Sequence, residues 1–231
     1  MQDMNKQQKI VIFLIAAVAL MALPLVAAQF GQGWVRIMAL ALLYVLLALG
    51  LNIVVGYAGL LDLGYVAFHA VGAYLFALLH SPHLRPRFAA LGAMFQAGLH
   101  TPWWLTIPLA ALLAAVLGMV LGAPTLKLRG DYLAIVTLGF GEVVRILINN
   151  LGGTPVNITN GAQGVGPIDS MNLLGLDLGH PLAIGGFQLA PVTLYYYLFL
   201  ALTATTVVVC HRLEHSSIGR AGMAIRDDEV A

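Results

Sequence analysis

The sequence predicts an all-α integral membrane protein, a polytopic helical bundle of about six spans. Hydrophobic residues make up 60% of the chain and charged residues 9%, against about 25% charged in ordinary soluble domains. Several windows of about 18 or more residues carry almost no charge, the length a helix needs to cross about 30 Å of hydrocarbon. Seven of the chain's twenty-one charged residues crowd into the last twenty positions. Arg212, Glu214, Arg220, Arg226, Asp227, Asp228 and Glu229 follow an apolar run that ends at Cys210. A membrane body with one short charged element suggests a protein driven by something outside the bilayer.

The first span runs from about Ile10 to Ala28, behind Lys6 and Lys9. Val26-Ala27-Ala28 also resembles the cleavage site of a signal peptide, but the run is long for a signal core, and a retained span is the preferred reading. Arg36 to Val55 forms the second span, with Trp34 as interfacial anchor. Gly56-Tyr57-Ala58-Gly59 breaks it. A third apolar stretch, Leu60 to Leu79, carries Asp62 and His69 with Gly64 and Gly72. His80 to Thr101 reads as a loop holding Pro82, Arg85, Pro86 and Arg87. Trp103 and Trp104 open a fourth span reaching Gly122, and a short basic connection with Lys127 and Arg129 follows.

Tyr132 to Ile148 is a fifth, short segment containing Gly139, Gly141, Glu142 and Arg145. Asn149 to Pro191 is rich in Gly and Asn and too polar for a buried turn, so it reads as a partly structured loop outside the bilayer. Val192 to Val209 is the sixth span. In chain order this gives an N-terminal stub with the first span (1–33), a membrane domain (34–210) with a loop at about 149–191, and a charged segment (211–231).

Lys and Arg set the orientation. With the N-terminus inside, Lys6, Lys9, Lys127, Arg129, Arg212, Arg220 and Arg226 lie on the cytoplasmic side. Only Arg36, Arg85 and Arg87 lie clearly outside, with Arg145 near the outer end of its span. The long loop is then periplasmic or extracellular, and the charged tail cytoplasmic.

Ionisable residues at membrane depth are costly and usually face a bundle interior or water. Asp62 either caps the third helix or lines a path. His69 reads as a lone neutral histidine packed on a neighbouring helix. Glu142 and Arg145 stand three apart and can pair, or line a water-filled path. Leu61-Asp62-Leu63-Gly64-Tyr65 echoes Val136-Thr137-Leu138-Gly139-Phe140, and paired interrupted segments can mark the centre of a transport path. The echo is only five residues long.

Enzymatic readings find little support. No two His stand at metal-ligand spacing inside a span, no span contains a serine, and no phosphate-binding loop ends in Lys-Ser or Lys-Thr. A net charge of +1 gives no reason to expect nucleic-acid binding. The single Cys210 excludes an intramolecular disulfide framework. No cofactor is expected.

In the tail, Ser216 or Ser217 can cap a short helix from Ile218 to about Arg226, with Ala221, Ala224 and Ile225 on one face. Asp227, Asp228 and Glu229 oppose the dipole at that helix's end but suit the start of another. The sequence therefore reads as a fragment, truncated as a further helix begins.

Four separated blocks resemble the permease subunits of branched-chain amino-acid ABC importers, most nearly the M-type subunit of the leucine/isoleucine/valine system. They are Leu51-Asn52-Ile53 through Tyr65 with Gly72-Ala73-Tyr74, Thr125 through Glu142, Asn149-Asn150 with Thr159-Asn160-Gly161, and Ser217-Ile218-Gly219-Arg220-Ala221 with Ala224 through Glu229. The resemblance implies a non-catalytic transport subunit in the inner membrane. It implies two cytoplasmic ABC ATPase subunits, a second homologous permease and a periplasmic amino-acid-binding protein as partners, with membrane lipid around the spans.

Ser217, Gly219, Arg220, Ala224, Ile225, Arg226 and Asp227 then match the family's ATPase-coupling element. Asn52, Asp62, His69 and Glu142 are the candidates for the translocation path. Gly222-Met223 stands where relatives carry bulkier or basic residues, and relatives continue through further spans. The rival class is an ion-coupled secondary transporter or channel, in which Asp62 and Glu142 would carry the coupling ion.

Overall fold

The computed structural model describes residues 6–57, 59–84, 100–125, 131–153, 157–173, 175–184, 187–217 and 219–220. Among the described residues six α-helices form the body: α1 (Lys6–Gln29), α2 (Gln32–Asn52), α3 (Val66–Leu79), α4 (Trp103–Thr125), α5 (Asp131–Asn150) and α6 (Pro191–Glu214). Four stretches among the described residues, Gln32–Tyr57, Trp103–Ala123, Tyr132–Asn150 and Pro191–Glu214, are long and apolar enough to cross a membrane. The apolar part of α1, Leu14–Gln29, and α3 are shorter. Large apolar side chains such as Val18, Tyr44 and Val120 lie more than half exposed, as lipid-facing positions require. This is a multi-pass, helical membrane protein.

The chain divides into two compact units, Met1–Gly50 with Leu176–Ser216 and Leu51–Gly175 with Ser217–Ala231. In the first, α1, α2 and α6 meet around Val35, Ala39 and Tyr196, with Ala27, Ala28 and Leu200 packed against them. Pro24 stands inside α1. It has no N–H, so the Leu20 carbonyl four residues earlier loses its helical partner. The Tyr196 hydroxyl donates to that carbonyl at 2.9 Å, and the Tyr197 hydroxyl donates to Met21 O at 2.9 Å. Neighbouring side chains re-satisfying a proline-freed carbonyl is what makes such a proline tolerable in lipid.

Tyr196→Phe is therefore expected to cost about 1–3 kcal/mol, the usual penalty for a buried acceptor left unpaired. Thermal unfolding of the detergent-solubilised protein measures it, and an unchanged midpoint would mean that Leu20 O finds another donor.

Helix α6 starts with Pro191 at its first position, where a missing N–H costs nothing. Its threonines return their hydroxyls to the helix, Thr203 donating to Phe199 O, Thr205 to Ala201 O and Thr206 to Leu202 O. The loop before it is not purely irregular. It holds β1 (Asn172–Leu173), β2 (Leu176–Asp177), β3 (Leu182–Ile184) and β4 (Phe187–Leu189). Strands β3 and β4 pair antiparallel, with Ala183 opposite Gln188. The body is helical as expected, and these short strands are the partial structure of the loop.

In the second unit, α2 runs on into a π-turn, Ile53–Tyr57, and the chain from Gly59 to Gly64 is not helical. Helix α3 has 14 residues, about 21 Å at ~1.5 Å each, too short to cross alone. The third apolar stretch is thus part irregular chain, part helix. At the other end of α5, the loop folds back on the helix. Thr159 donates its hydroxyl to Ile148 O at 2.5 Å, and Ile158 N–H donates to Leu151 O. Asn160 N–H bonds to Asn157 Oδ1, and Asn160 Nδ2 donates to Gly164 O. Among these contacts the Thr159 hydroxyl satisfies a carbonyl of the helix's last turn, where carbonyls lack intrahelical donors, and the Asn160 bonds brace the loop itself.

Candidate translocation site

In the second unit the irregular segment 59–64 crosses close against α5. Gly59 takes φ +71°, a left-handed conformation that glycine accepts without strain, and turns the chain out of the π-turn. Leu63 N–H then donates to Thr137 Oγ1 at 3.1 Å, and Thr137 donates the same hydroxyl to Ala134 O at 3.1 Å. Thr137 is buried. One side chain thus satisfies a backbone donor that an unwound segment leaves over. Non-helical backbone at membrane depth survives only where protein or a cavity satisfies it.

Gly64 makes the closest approach. A Cβ there would lie 2.3 Å from Thr137 O, and a Cβ at Gly141 would lie 3.5 Å from Gly64 Cα. The two echoing segments, 61–65 and 136–140, are the two partners in this crossing. Two cavities flank it, and Gly64 lines both. One, of about 140 Å³, is bounded by Asp62, Phe68, Gly118, Leu121, Thr137 and Phe140, among others. The other, of about 430 Å³, includes Ala67, Ala70, Tyr74, Glu142 and Arg145. The Phe68 and Phe140 rings sit 6.5 Å apart on the wall of the smaller one.

Asp62 does not cap α3. The helix starts at Val66, behind Tyr65, which makes no side-chain cap bond. Asp62 Oδ1 instead accepts from Gly64 N–H at 2.9 Å, a local turn bond of the kind aspartate favours. That bond holds the carboxylate at the rim of the smaller cavity, four residues short of the helix.

Glu142 and Arg145 pair as their spacing predicts. Arg145 Nε donates to Oε2 at 2.9 Å and Nη2 to Oε1 at 2.5 Å. His69 is exposed on α3 instead of packed against a neighbouring helix. Asn52 is the last residue of α2 and exposed. Its Oδ1 lies along the π-turn, 2.8 Å from where a Gly56 Cβ would be. The crossing therefore gathers Asp62 and the Glu142 pair about Gly64, and adds Thr137, which the echo contained but did not single out.

In the tail, Ser217, Gly219 and Arg220 are helical, with Gly219 buried and Arg220 exposed. Ala224, Ile225, Arg226 and Asp227 lie outside the described residues, as do Asp228 and Glu229. One group went unread in the sequence. Helix α6 continues past Val209 to Glu214, and brings His211, Glu214 and His215 together.

The family model described as the permease component of branched-chain amino acid transport systems matches residues 33–231. The high-affinity branched-chain amino acid transport system permease protein LivM of Escherichia coli (strain K12) is 40% identical over 213 residues, covering 87% of this chain and 45% of the relative. LivM of Salmonella typhimurium (strain LT2) is 40% identical over 228 residues, covering 92% of this chain and 49% of the relative. The chain spans about half the length of these curated relatives. No solved structure matches. With the match running through the broken third stretch, α5 and the charged tail alike, the chain belongs to the family of branched-chain amino acid transport system permease components.

Proposed function

We propose that this chain is a transmembrane permease subunit of an ATP-driven importer for branched-chain amino acids, working in the inner membrane with its N-terminus in the cytoplasm. The observation that carries this reading is the family match over residues 33–231, at 40% identity to LivM. Cytoplasmic ATPase subunits hydrolyse ATP, a second homologous permease completes the path, and a periplasmic amino-acid-binding protein delivers substrate. Residues 211–231 form the cytoplasmic segment that docks on an ATPase, through Ser217, Gly219, Arg220, Ala224, Ile225, Arg226 and Asp227. The bias of Lys and Arg supports the orientation. The bonds from Tyr196 and Tyr197 to α1 support a retained first span.

The substrate passes the Gly64 crossing. A branched-chain amino acid carries an ammonium, a carboxylate and a short aliphatic group. The smaller cavity offers a carboxylate at one end and Phe68, Leu121 and Phe140 at the other. Its 140 Å³ is close to the ~150 Å³ that admits a benzene-sized apolar group. The ion-coupled alternative loses ground at Glu142. Both of its oxygens are held by Arg145, so the pair presents no net charge to a coupling ion.

Co-purification of the full-length protein with an ATPase and a second permease, followed by leucine uptake into vesicles with and without ATP, tests the assignment. Uptake that follows an ion gradient without ATP would overturn it. Asp62→Asn is expected to raise the KM for leucine about tenfold with the complex intact, the scale of one lost charge-assisted hydrogen bond. An unchanged KM would remove Asp62 from the path.

A further inference from the structure

We propose that the last turn of α6 is a divalent transition-metal site whose ligands are His211, Glu214 and His215. The three stand at i, i+3 and i+4 on one helical face. One ligand atom from each lies within 4.8 Å of the others, and all three side chains are exposed. A metal bound at ~2.0–2.2 Å from nitrogen and oxygen needs only small rotamer changes to draw these atoms around it. The two imidazole rings are already neighbours, edge to face, with centroids 4.7 Å apart and planes at 63°.

The tautomer is set independently. His215 Nδ1 lies 2.9 Å from His211 O, an acceptor only, so Nδ1 carries the proton. Nε2 is left with its lone pair outward. A ring nitrogen donating to a backbone carbonyl while the other binds metal is the usual outer support of a histidine ligand. The C-terminal end of a helix also carries partial negative charge, which favours a cation.

Cys210 is next in sequence but buried, so the donor set is two imidazoles and one carboxylate. That set suits Zn2+, Ni2+ or Cu2+ and not Mg2+ or Ca2+. Three protein ligands leave a position for water. Because His215 is the C-cap residue of α6, a bound ion fixes the direction in which the chain leaves the helix, two positions before Ser217.

The test uses the tag-free full chain in detergent or nanodiscs, titrated with Zn2+ against a chromophoric chelator. One saturable equivalent is expected. His211→Ala and His215→Ala should each weaken it by more than the ~10–100-fold that loss of an outer-shell partner costs. Glu214→Gln should weaken it too, and Arg212→Ala should leave it unchanged. Wild type and the His211→Ala/His215→Ala double variant taking up zinc with equal affinity would overturn the site, as would the absence of any saturable binding. Because the metal binds the folded helix end, it should also raise the unfolding temperature of the wild type by mass action. No rise is expected in the double variant.

Discussion

Gly64→Ala is expected to lower thermal stability sharply and to abolish leucine uptake by the assembled importer. The added Cβ would lie 2.3 Å from Thr137 O and 3.0 Å from the Thr137 carbonyl carbon. Both are backbone atoms, so no flexible side chain can swing away. The irregular segment must lift off α5, and in lifting it withdraws Leu63 N–H from Thr137 Oγ1. Overpacking of a tight interior costs about 1–3 kcal/mol, and a donor stranded in apolar surroundings about 1–3 more. A total of roughly 2–6 kcal/mol would displace Asp62 and reshape both cavities.

Gly72→Ala is the control. It adds the same methyl to α3, where nothing lies within 4 Å, and is expected to be neutral or to stabilise by up to about 1 kcal/mol through helix propensity. Melting curves of the two variants, with vesicle uptake beside them, decide the matter. A Gly64→Ala protein that melts and transports like wild type would show that the segment does not cross α5 this closely.

What the sequence could show of this crossing, and what it could not, follows from the range of each interaction. The Glu142–Arg145 pair depends on two residues one helical turn apart, and spacing alone predicts it. The break near Gly56 was likewise visible in its glycines. The start of α3 was not. Leu60 to Leu79 is apolar apart from Asp62 and His69, and its one local start signal, Asp62 as a cap, lies four residues before the helix begins at Val66. The segment 60–64 is held open by Thr137, which is 74 residues from its partner Leu63. No local pattern says which hydroxyl will meet which backbone N–H.

The Pro24 vacancy is similar: the proline announces a free carbonyl, but not that Tyr196, 176 residues from Leu20, supplies the proton. The metal-ligand triad escaped for a different reason. The apolar count stops at Val209 because His211 and Arg212 are polar, whereas backbone hydrogen bonding carries α6 one turn further, to Glu214. Hydropathy marks where lipid ends, and helices end where their carbonyls find other partners. The short strands β3 and β4, three residues each, offer too little alternation to be seen.

The second large effect is expected in the tail. A docking helix transmits ATPase closure through a small contact, so a few side chains should dominate it. On the proposed coupling role, Gly219 and Ala224 let the segment seat deeply in a cleft of the ATPase, and Arg220 and Arg226 pair with acidic groups there. Gly219→Trp should then abolish ATP-dependent leucine uptake by the full-length complex, because the indole blocks seating. Gly219 is also buried in this structure, while Arg220 beside it is exposed. Tryptophan at 219 therefore tests packing within the chain as well, and its melting temperature has to be measured alongside uptake.

Arg226→Glu separates the two effects. It adds no bulk and sets like charges against each other at the interface, so it should abolish uptake and loosen the ATPase while membrane insertion and melting stay as in wild type. The discriminating outcome is the behaviour of Arg226→Glu in uptake and in co-purification of the ATPase. Normal transport with the ATPase still bound, in both variants, would make residues 217–229 an ordinary solvated loop. The energy for transport would then have to enter elsewhere, and Asp62 would become the first candidate to carry an ion.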